Sequence, residues 1–370
     1  MSTLKAERFA TPLPPERARQ FVQALLPWQR AQGRHGLPWQ GSRDPYRVWL
    51  SEIMLQQTQV ATVMAYYERF LQRFPSVRDL AEAPQDEVMQ LWAGLGYYSR
   101  ARNLHACARQ VMADWGGEFP RKAKDLQTLK GIGASTAAAI AAFCFDERIA
   151  ILDGNVKRVL ARWLCVEDDV STPAGSRALN AVAQDLAQAV AEASDMPTFT
   201  QGLMDLGAMV CRPRQAQCGR CPLQASCDAF AQGEPLRWPV PKAKIKRQSL
   251  RWWLAFIQNS QGQWGWQVRP SEGIWGGLTV PWMFEDEAAL RKAFVDGECT
   301  PLPMVKHVLT HRDLMLHPVV VRVPTVPPDW RLHWHDTPAV SRLALPAAVQ
   351  RLWQNQVAPN FARDARQPEV

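Results

Sequence analysis

The 370-residue chain has no run of eighteen apolar residues. Its longest greasy stretch, Ser135 to Phe145 with its neighbours, is alanine-rich and only about a dozen residues long, which excludes a transmembrane helix. The first twenty residues mix charges with prolines and hold no apolar segment, so no secretory signal is expected and the chain is expected to be cytoplasmic. Neither sign of charge dominates. Lys+Arg number 43 against 35 Asp+Glu, and the resulting +8 is too small an excess to establish a polyanionic partner by itself. Nothing before residue 230 alternates like a strand, and no internal repeat is visible. A hydrophobic share of 47% and a charged share of 21% exclude a disordered or collagen-like chain. The length exceeds what one core usually holds, so two or three domains are expected.

What is present falls into two parts. Apolar residues recur with helical period from Tyr46 to Phe74, with no Gly or Pro inside, which predicts one continuous helical stretch. Further helices are expected at about 84–92, 99–115, 134–145, 156–164 and 175–193, punctuated by Gly94, Gly96, Gly116, Gly117, Pro120, Gly131 and Gly133. The first two-thirds therefore reads as all-α. After Gly233 come Pro239 and Pro241 among Arg237, Lys242, Lys244, Lys246, Arg247 and Arg251, the composition of a basic linker. Two segments, 250–258 and 264–269, flank a turn at 259–262, and a β-branched run follows at 314–323, with a short amphipathic helix at 285–294. The last third reads as a smaller α/β or α+β domain. Sixteen tryptophans suit either core packing or base stacking.

Eight cysteines in a cytoplasmic chain do not predict disulfides. Four of them, Cys211, Cys218, Cys221 and Cys227, fall within seventeen residues as C-x6-C-x2-C-x5-C. One tight loop of this kind suits four thiolates around a [4Fe–4S] cluster, with a structural zinc site as the alternative. Arg212, Arg214 and Arg220 lie between them with no acid, either a phosphate-contacting surface or a solvated loop. The segment Leu129-Lys130-Gly131-Ile132-Gly133-Ala134-Ser135 precedes the alanine-rich helix. Two glycines there allow close backbone approach and leave helix amides free for a phosphate, as in a helix-hairpin-helix; a plain helix cap is the alternative. Twenty residues on, Asp153-Gly154-Asn155 opens a helix carrying Lys157, Arg158 and Arg162, where Asp153 could simply be the N-cap. Glu52 lies at the edge of an apolar stripe. A half-sunk carboxyl has a raised pKa and can act as a general acid, though such a residue can also be an exposed charge.

Together these elements resemble the helix-hairpin-helix DNA glycosylase superfamily. Within it, residues 50–58 (Leu-Ser-Glu-Ile-Met-Leu-Gln-Gln-Thr), 92–101 (Trp-Ala-Gly-Leu-Gly-Tyr-Tyr-Ser-Arg-Ala) and 151–159 (Ile-Leu-Asp-Gly-Asn-Val-Lys-Arg-Val) are similar to the adenine-specific enzymes, over about residues 33–351. The resemblance implies a mostly α N-terminal two-thirds and a C-terminal α/β Nudix-like domain. It implies an N-terminal helical part of the cluster domain over 1–44, a six-helix barrel with the hairpin over 45–153, and a cluster domain over 154–232. A basic linker over 233–249, an 8-oxoguanine recognition domain over 250–355 and a tail over 356–370 would follow. The activity implied is hydrolysis of the N-glycosidic bond of adenine mispaired with 8-oxoguanine or guanine, the base being flipped out of the duplex. Glu52 would protonate the adenine, and Asp153, oriented by Asn155, would stabilise an oxocarbenium-like sugar while water completes the cleavage.

The resemblance also places His35, Trp39 and Gln201 in the adenine pocket, Gln57 and Tyr97 as wedges in the base stack, and Thr58 and Leu95 beside the damaged guanine. Gly131, Gly133, Ser135 and Lys157 would contact DNA. Related lyases carry a nucleophilic lysine at the position of Ser135, so serine there implies a monofunctional enzyme. Residues 273–278, Gly-Ile-Trp-Gly-Gly-Leu, resemble the start of a Nudix domain, but the acidic magnesium-binding box is absent. The Phe-Ser-His loop that reads 8-oxoguanine in the family corresponds to Leu309-Thr310-His311, so Thr310 and His311 would touch the damaged base. A [4Fe–4S] cofactor, a double-stranded DNA partner holding A:8-oxoguanine or A:G, a nucleoid-associated location, no membrane contact and a monomer are the accompanying expectations. The competing readings are an oxidised-pyrimidine glycosylase with lyase activity and a non-catalytic iron–sulfur DNA-binding protein.

Overall fold

The computed structural model describes residues 12–240, 247–270, 272–295, 297–309, 312–327 and 330–361. Lys242, Lys244 and Lys246 of the expected linker, and both Thr310 and His311, lie outside the described residues. In chain order the α-helices among the described residues are α1 (Pro15–Gln32), α2 (Pro45–Leu55), α3 (Val60–Arg73), α4 (Val77–Glu82), α5 (Gln85–Trp92), α6 (Ser99–Trp115), α7 (Ala123–Leu126), α8 (Ala134–Phe145), α9 (Gly154–Trp163), α10 (Pro173–Gln188), α11 (Met196–Asp205), α12 (Asp228–Ala231), α13 (Glu287–Ala293), α14 (Thr337–Val340), α15 (Ala347–Leu352) and α16 (Ala358–Phe361). Among the described residues no strand precedes Gln248. The chain divides into two compact units, one of residues 1–82 and 103–243, the other of residues 83–102 and 244–370.

In the first unit α8 is the innermost helix. Its residues Thr136 to Ala142 are all buried, and a helix that is apolar all round belongs inside. Alanine methyls let α2 and α11 come in against it. The surrounding core gathers Phe21 and Leu25 from α1, Trp163 from α9, and Phe199 and Leu203 from α11. Phe21 meets Trp163 edge-on at 4.7 Å, and burying each such side chain contributes about 1.5–3 kcal/mol. Local signals start the helices that matter most here. Asp44 caps α2 by accepting from the Tyr46 amide at 2.9 Å, with Pro45 in the first turn.

The continuous helix expected from Tyr46 to Phe74 is in fact two. The chain leaves α2 at Gln56, and Gln57 takes a left-handed φ of 57° before α3 begins at Val60. No Gly or Pro marks the break. Four successive polar residues, Gln56 to Gln59, have no apolar face to bury, so nothing there holds the helix to its course.

The second unit is built on a mixed sheet ordered β3-β2-β1-β7-β5, with β4, β6 and β8 paired off this path. The strands are β1 (Gln248–Gln258), β2 (Trp264–Val268), β3 (Thr279–Val280), β4 (Trp282–Phe284), β5 (Glu298–Pro301), β6 (Val305–Val308), β7 (Arg312–Arg322) and β8 (His333–His335). The hairpin at 259–262 joins β1 and β2 antiparallel, with Gln258 opposite Trp264. β1 runs parallel to β7 along its whole length, Gln248 opposite Arg312 and Gln258 opposite Arg322. Alternation sends Leu254, Phe256, Leu314 and Leu316 to one core and Ala255, Ile257, Val319 and Val321 to another. Residues 83–102 belong to this unit: the Tyr98 hydroxyl donates to the Leu345 carbonyl at 2.9 Å, and the Arg102 guanidinium donates to that of Gly276.

Candidate active site

Five segments of the first unit line an open cleft of about 1300 Å³. They are the end of α1 with the loop to residue 43, the second half of α2 with residues 56–60, α8 near its start and at Phe143, the entry to α9, and α11 with the turn after it. Glu52 projects from α2, with neighbours Ile53 and Met54 buried. Burial first, and then the negative charge of Asp153, pushes its carboxyl up to about 7. Both acids line the same cleft.

Asp153 is the N-cap of α9, as its sequence setting allowed: Oδ1 accepts from the Val156 amide at 2.7 Å. Its other oxygen accepts from Asn155 Nδ2 at 3.1 Å. Two donors on the charged form hold the carboxylate in one orientation. Asn155 is itself oriented, because its Oδ1 accepts from Arg158 Nη2 at 2.9 Å. Arg158 then donates to the carbonyls of Cys211 (2.8 Å) and Gly207 (2.7 Å). One more turn along α9, the buried Arg162 donates to the carbonyls of Arg212, Pro213 and Trp238 and lies 3.3 Å from the Cys211 sulfur. A single helix thus ties the Asp153 carboxylate to the cysteine loop. Asn155, Arg158 and Arg162 sit at helical spacing, the only sign of this link in the sequence.

The cysteine loop leaves α11 through a π-helical turn, Leu206–Val210, and folds back by a bridge between Cys211 and Ala216. All four cysteines are free thiols, and Cys211, Cys221 and Cys227 pack against the core. Burial pushes the Cys221 thiol up to about 12 and raises Cys218 and Cys227 as well, with the neighbouring cysteines adding to each. Such thiols ionise only with positive charge beside them, which a bound metal group supplies. Four thiols that feel one another's charge, with the Arg162 guanidinium beside Cys211, are donors of the kind an iron–sulfur cluster takes. Among the described residues, no three His, Cys, Asp or Glu side chains are grouped as ligands of a single metal ion. Arg212, Arg214 and Arg220 are exposed on this loop.

His35, Trp39, Gln57, Thr58, Ser135 and Gln201 all line the same cleft as Glu52, Asp153 and Asn155. Trp39 is buried and set edge-on to Tyr67 at 5.3 Å. Gln57, exposed, and Tyr97, 47% exposed, both hold left-handed φ angles, 57° and 49°. Leu95 is buried in the second unit. Lys157 is not in the cleft; its ammonium donates to the Ser176 hydroxyl at 2.9 Å. In the hairpin, Gly131 has a φ of 78°, and an added Cβ would lie 2.7 Å from that of Asn103, whereas a Cβ on Gly133 would meet nothing within 4 Å. Sequence reasoning missed Arg34 and Asp205, whose ion pair braces the cleft wall at 2.7 Å. The i, i+4 spacing of Gln201 and Asp205 on α11 was the one available signal.

Comparison with known proteins shows which family this fold belongs to. The family described as HhH-GPD superfamily base excision DNA repair protein matches residues 50–185, and the NUDIX domain family matches residues 253–355. An adenine DNA glycosylase of Buchnera aphidicola subsp. Baizongia pistaciae is 30% identical over 347 residues, covering 90% of this chain and 95% of that one. The adenine DNA glycosylase of Homo sapiens is 44% identical over 218 residues, covering 56% of this chain and 39% of that one. Among solved structures, a thermostable thymine-DNA glycosylase superposes with a TM-score of 0.53 at 28% identity, over 59% of this chain and 98% of that one. An endonuclease III in a non-covalent DNA complex shares the fold, with a TM-score of 0.50 at 20% identity, over 60% of this chain and 98% of that one.

Proposed function

This chain belongs to the adenine DNA glycosylases, hydrolases of N-glycosyl bonds in base-excision repair, and from that premise we propose that it releases adenine mispaired with guanine or 8-oxoguanine by a water-dependent, monofunctional route. The observation that carries this reading is the pair of unlike carboxyls in one cleft. Glu52 is held up to about 7 and so keeps a proton to give near neutral pH, while Asp153 is fixed by two hydrogen-bond donors. Unlike environments divide the acid and stabiliser roles between two carboxyls. Glu52 delivers its proton to the ring of a flipped adenine, because the unprotonated base is a poor leaving group. Asp153 stabilises the positive charge that develops on the sugar, and Asn155 keeps it aimed.

Water as the nucleophile is supported by the lining of the cleft. Ser135 stands there and, among the described residues, no lysine does, so no amine is at hand to form a Schiff base. Gly131, Gly133 and the start of α8 offer backbone amides to a phosphate, with Lys157, Gln57, Tyr97, Thr58 and Leu95 as further contacts to DNA. Cys211, Cys218, Cys221 and Cys227 would hold a [4Fe–4S] cluster. When bound, that cluster supplies the positive centre that keeps four thiolates together and the loop arginines in place. In the second unit, β6 and β7 pair as far as Val308 and Asp313, and the intervening Thr310 and His311 are assigned to the 8-oxoguanine edge. The protein acts as a monomer on double-stranded DNA.

The test is direct. Duplexes holding one adenine opposite guanine, 8-oxoguanine or thymine are incubated with the protein and then treated with alkali. Breaks are expected with the first two only, and none before alkali. Cleavage before alkali, or an adduct trapped by borohydride, would replace this reading with that of a lyase.

A further inference from the structure

Asp205 is fully buried at the last turn of α11, yet it stands beside the cleft through the groups it holds. Oδ2 accepts from the Arg34 amide at 2.8 Å, and Oδ1 accepts from Arg34 Nε at 2.7 Å and from Gln201 Nε2 at 2.8 Å. Gly33 lets the backbone descend onto this carboxylate: a Cβ there would lie 2.5 Å from the Gln29 carbonyl oxygen and 3.0 Å from Asp205 Oδ2. The loop that follows carries His35 and Trp39 into the cleft.

Hydrogen-bond chemistry then settles which atoms face inward. A carboxylate paired with arginine can only accept, so Gln201 must turn its NH2 to Asp205, leaving the amide oxygen for the cleft. His35 Nε2 lies 3.0 Å from the Gln29 carbonyl, which also only accepts. Nε2 therefore donates, and in that tautomer Nδ1 is left as an acceptor.

We propose that Asp205 is a positioning residue for base selection, holding Gln201 and the Arg34–His35 segment so that the cleft wall presents acceptors to an exocyclic amine. A base with an amine there is bound; one with a carbonyl, or with hydrogen alone, loses the contact. This rests on the adenine-releasing reading and adds the group that sets its specificity. Asp205→Asn brings a donor where only acceptors stood, so the orientation of Gln201 is no longer compelled.

The experiment measures single-turnover release, as maximal rate and half-saturating concentration separately, from duplexes holding adenine, purine or hypoxanthine opposite guanine. In Asp205→Asn the preference for adenine over purine is expected to collapse about tenfold or more, the worth of one polar contact to a base. The preference over hypoxanthine should fall as well, while the pH limb set by Glu52 stays where it is. Gln201→Ala leaves the Arg34–Asp205 pair in place and should lose the same preference, and Asp205→Asn in that background should remove no more. An equal loss on adenine and purine in Asp205→Asn overturns the proposal, since a merely structural residue gives that result. If that variant does not fold, Asp205→Glu, which keeps an acceptor but displaces it from Arg34 and Gln201, is measured in its place: an unchanged preference over purine overturns the proposal and a lost one supports it. Wild-type release of adenine establishes the function whichever way the preferences fall.

Discussion

At the scale of single residues, the unusual group is Glu52. Only its protonated form can give a proton to the base, and its pKa is about 7. Single-turnover release should therefore level off well below pH 7 and fall about tenfold per unit well above it, as a rate profile on a saturating duplex will report. Glu52→Gln keeps the shape without the proton and should cost ~10²–10⁴ in rate, with mispair binding nearly intact. The same burial has a thermodynamic side. The folded state binds this proton more tightly than the unfolded chain, whose value is near 4.5, so stability is fully present below 4.5 and is lost as pH rises to about 7. Urea midpoints should show Glu52→Gln more stable than wild type by roughly 2–3 kcal/mol at pH 8 and no different at pH 4. The position of Glu52 beside an apolar stripe was legible in the sequence. Its pairing with Asp153, one hundred and one positions on, was not, because only the folded chain puts α2 against the entry to α9.

At the scale of elements, the hairpin separates two uses of glycine. Gly131→Ala should lower the melting temperature, since its left-handed φ costs about 1–2 kcal/mol with a side chain and Asn103 must move. Gly133→Ala meets nothing in its own chain, so it should melt normally yet bind duplex DNA more weakly, with a shallower salt dependence in a titration. Cys221→Ser should abolish the proposed iron binding and loosen 211–227, seen as lost hydrogen-exchange protection there. Helices with strong local punctuation, such as α6 and α8, were readable to the residue, because Gly or turn residues bound them. The α2–α3 break was not, since a run of glutamines carries no turn signal and the bend is set by what surrounds it.

For the molecule as a whole, cutting the chain after Arg247 is a poor way to test the proposed reading of 8-oxoguanine. Residues 83–102 have their partners in the C-terminal segment, and Trp92, Leu95 and Tyr98 are buried in that unit. The fragment should bind the dye ANS and lose stability, confusing folding with recognition. Thr310→Ala with His311→Ala in the full chain is the cleaner change, and it should weaken release opposite 8-oxoguanine by roughly tenfold while sparing guanine. No spacing rule could have shown this grouping: the Tyr98–Leu345 bond spans 247 positions, and its acceptor is a backbone carbonyl that any residue supplies.

The left-handed backbones of Gln57 and Tyr97 bear on time rather than on affinity. An enzyme that inspects a genome spends most of its life on correct base pairs, and a probe that had to order itself at each would lengthen every stop. Both residues are exposed on backbone conformations that non-glycine residues adopt only when the fold enforces them. If the two side chains enter the base stack as proposed, dwell at each base pair should be governed by how readily the duplex opens, and a mispair, which opens more easily, should be sorted from its neighbours at the pace of the DNA itself.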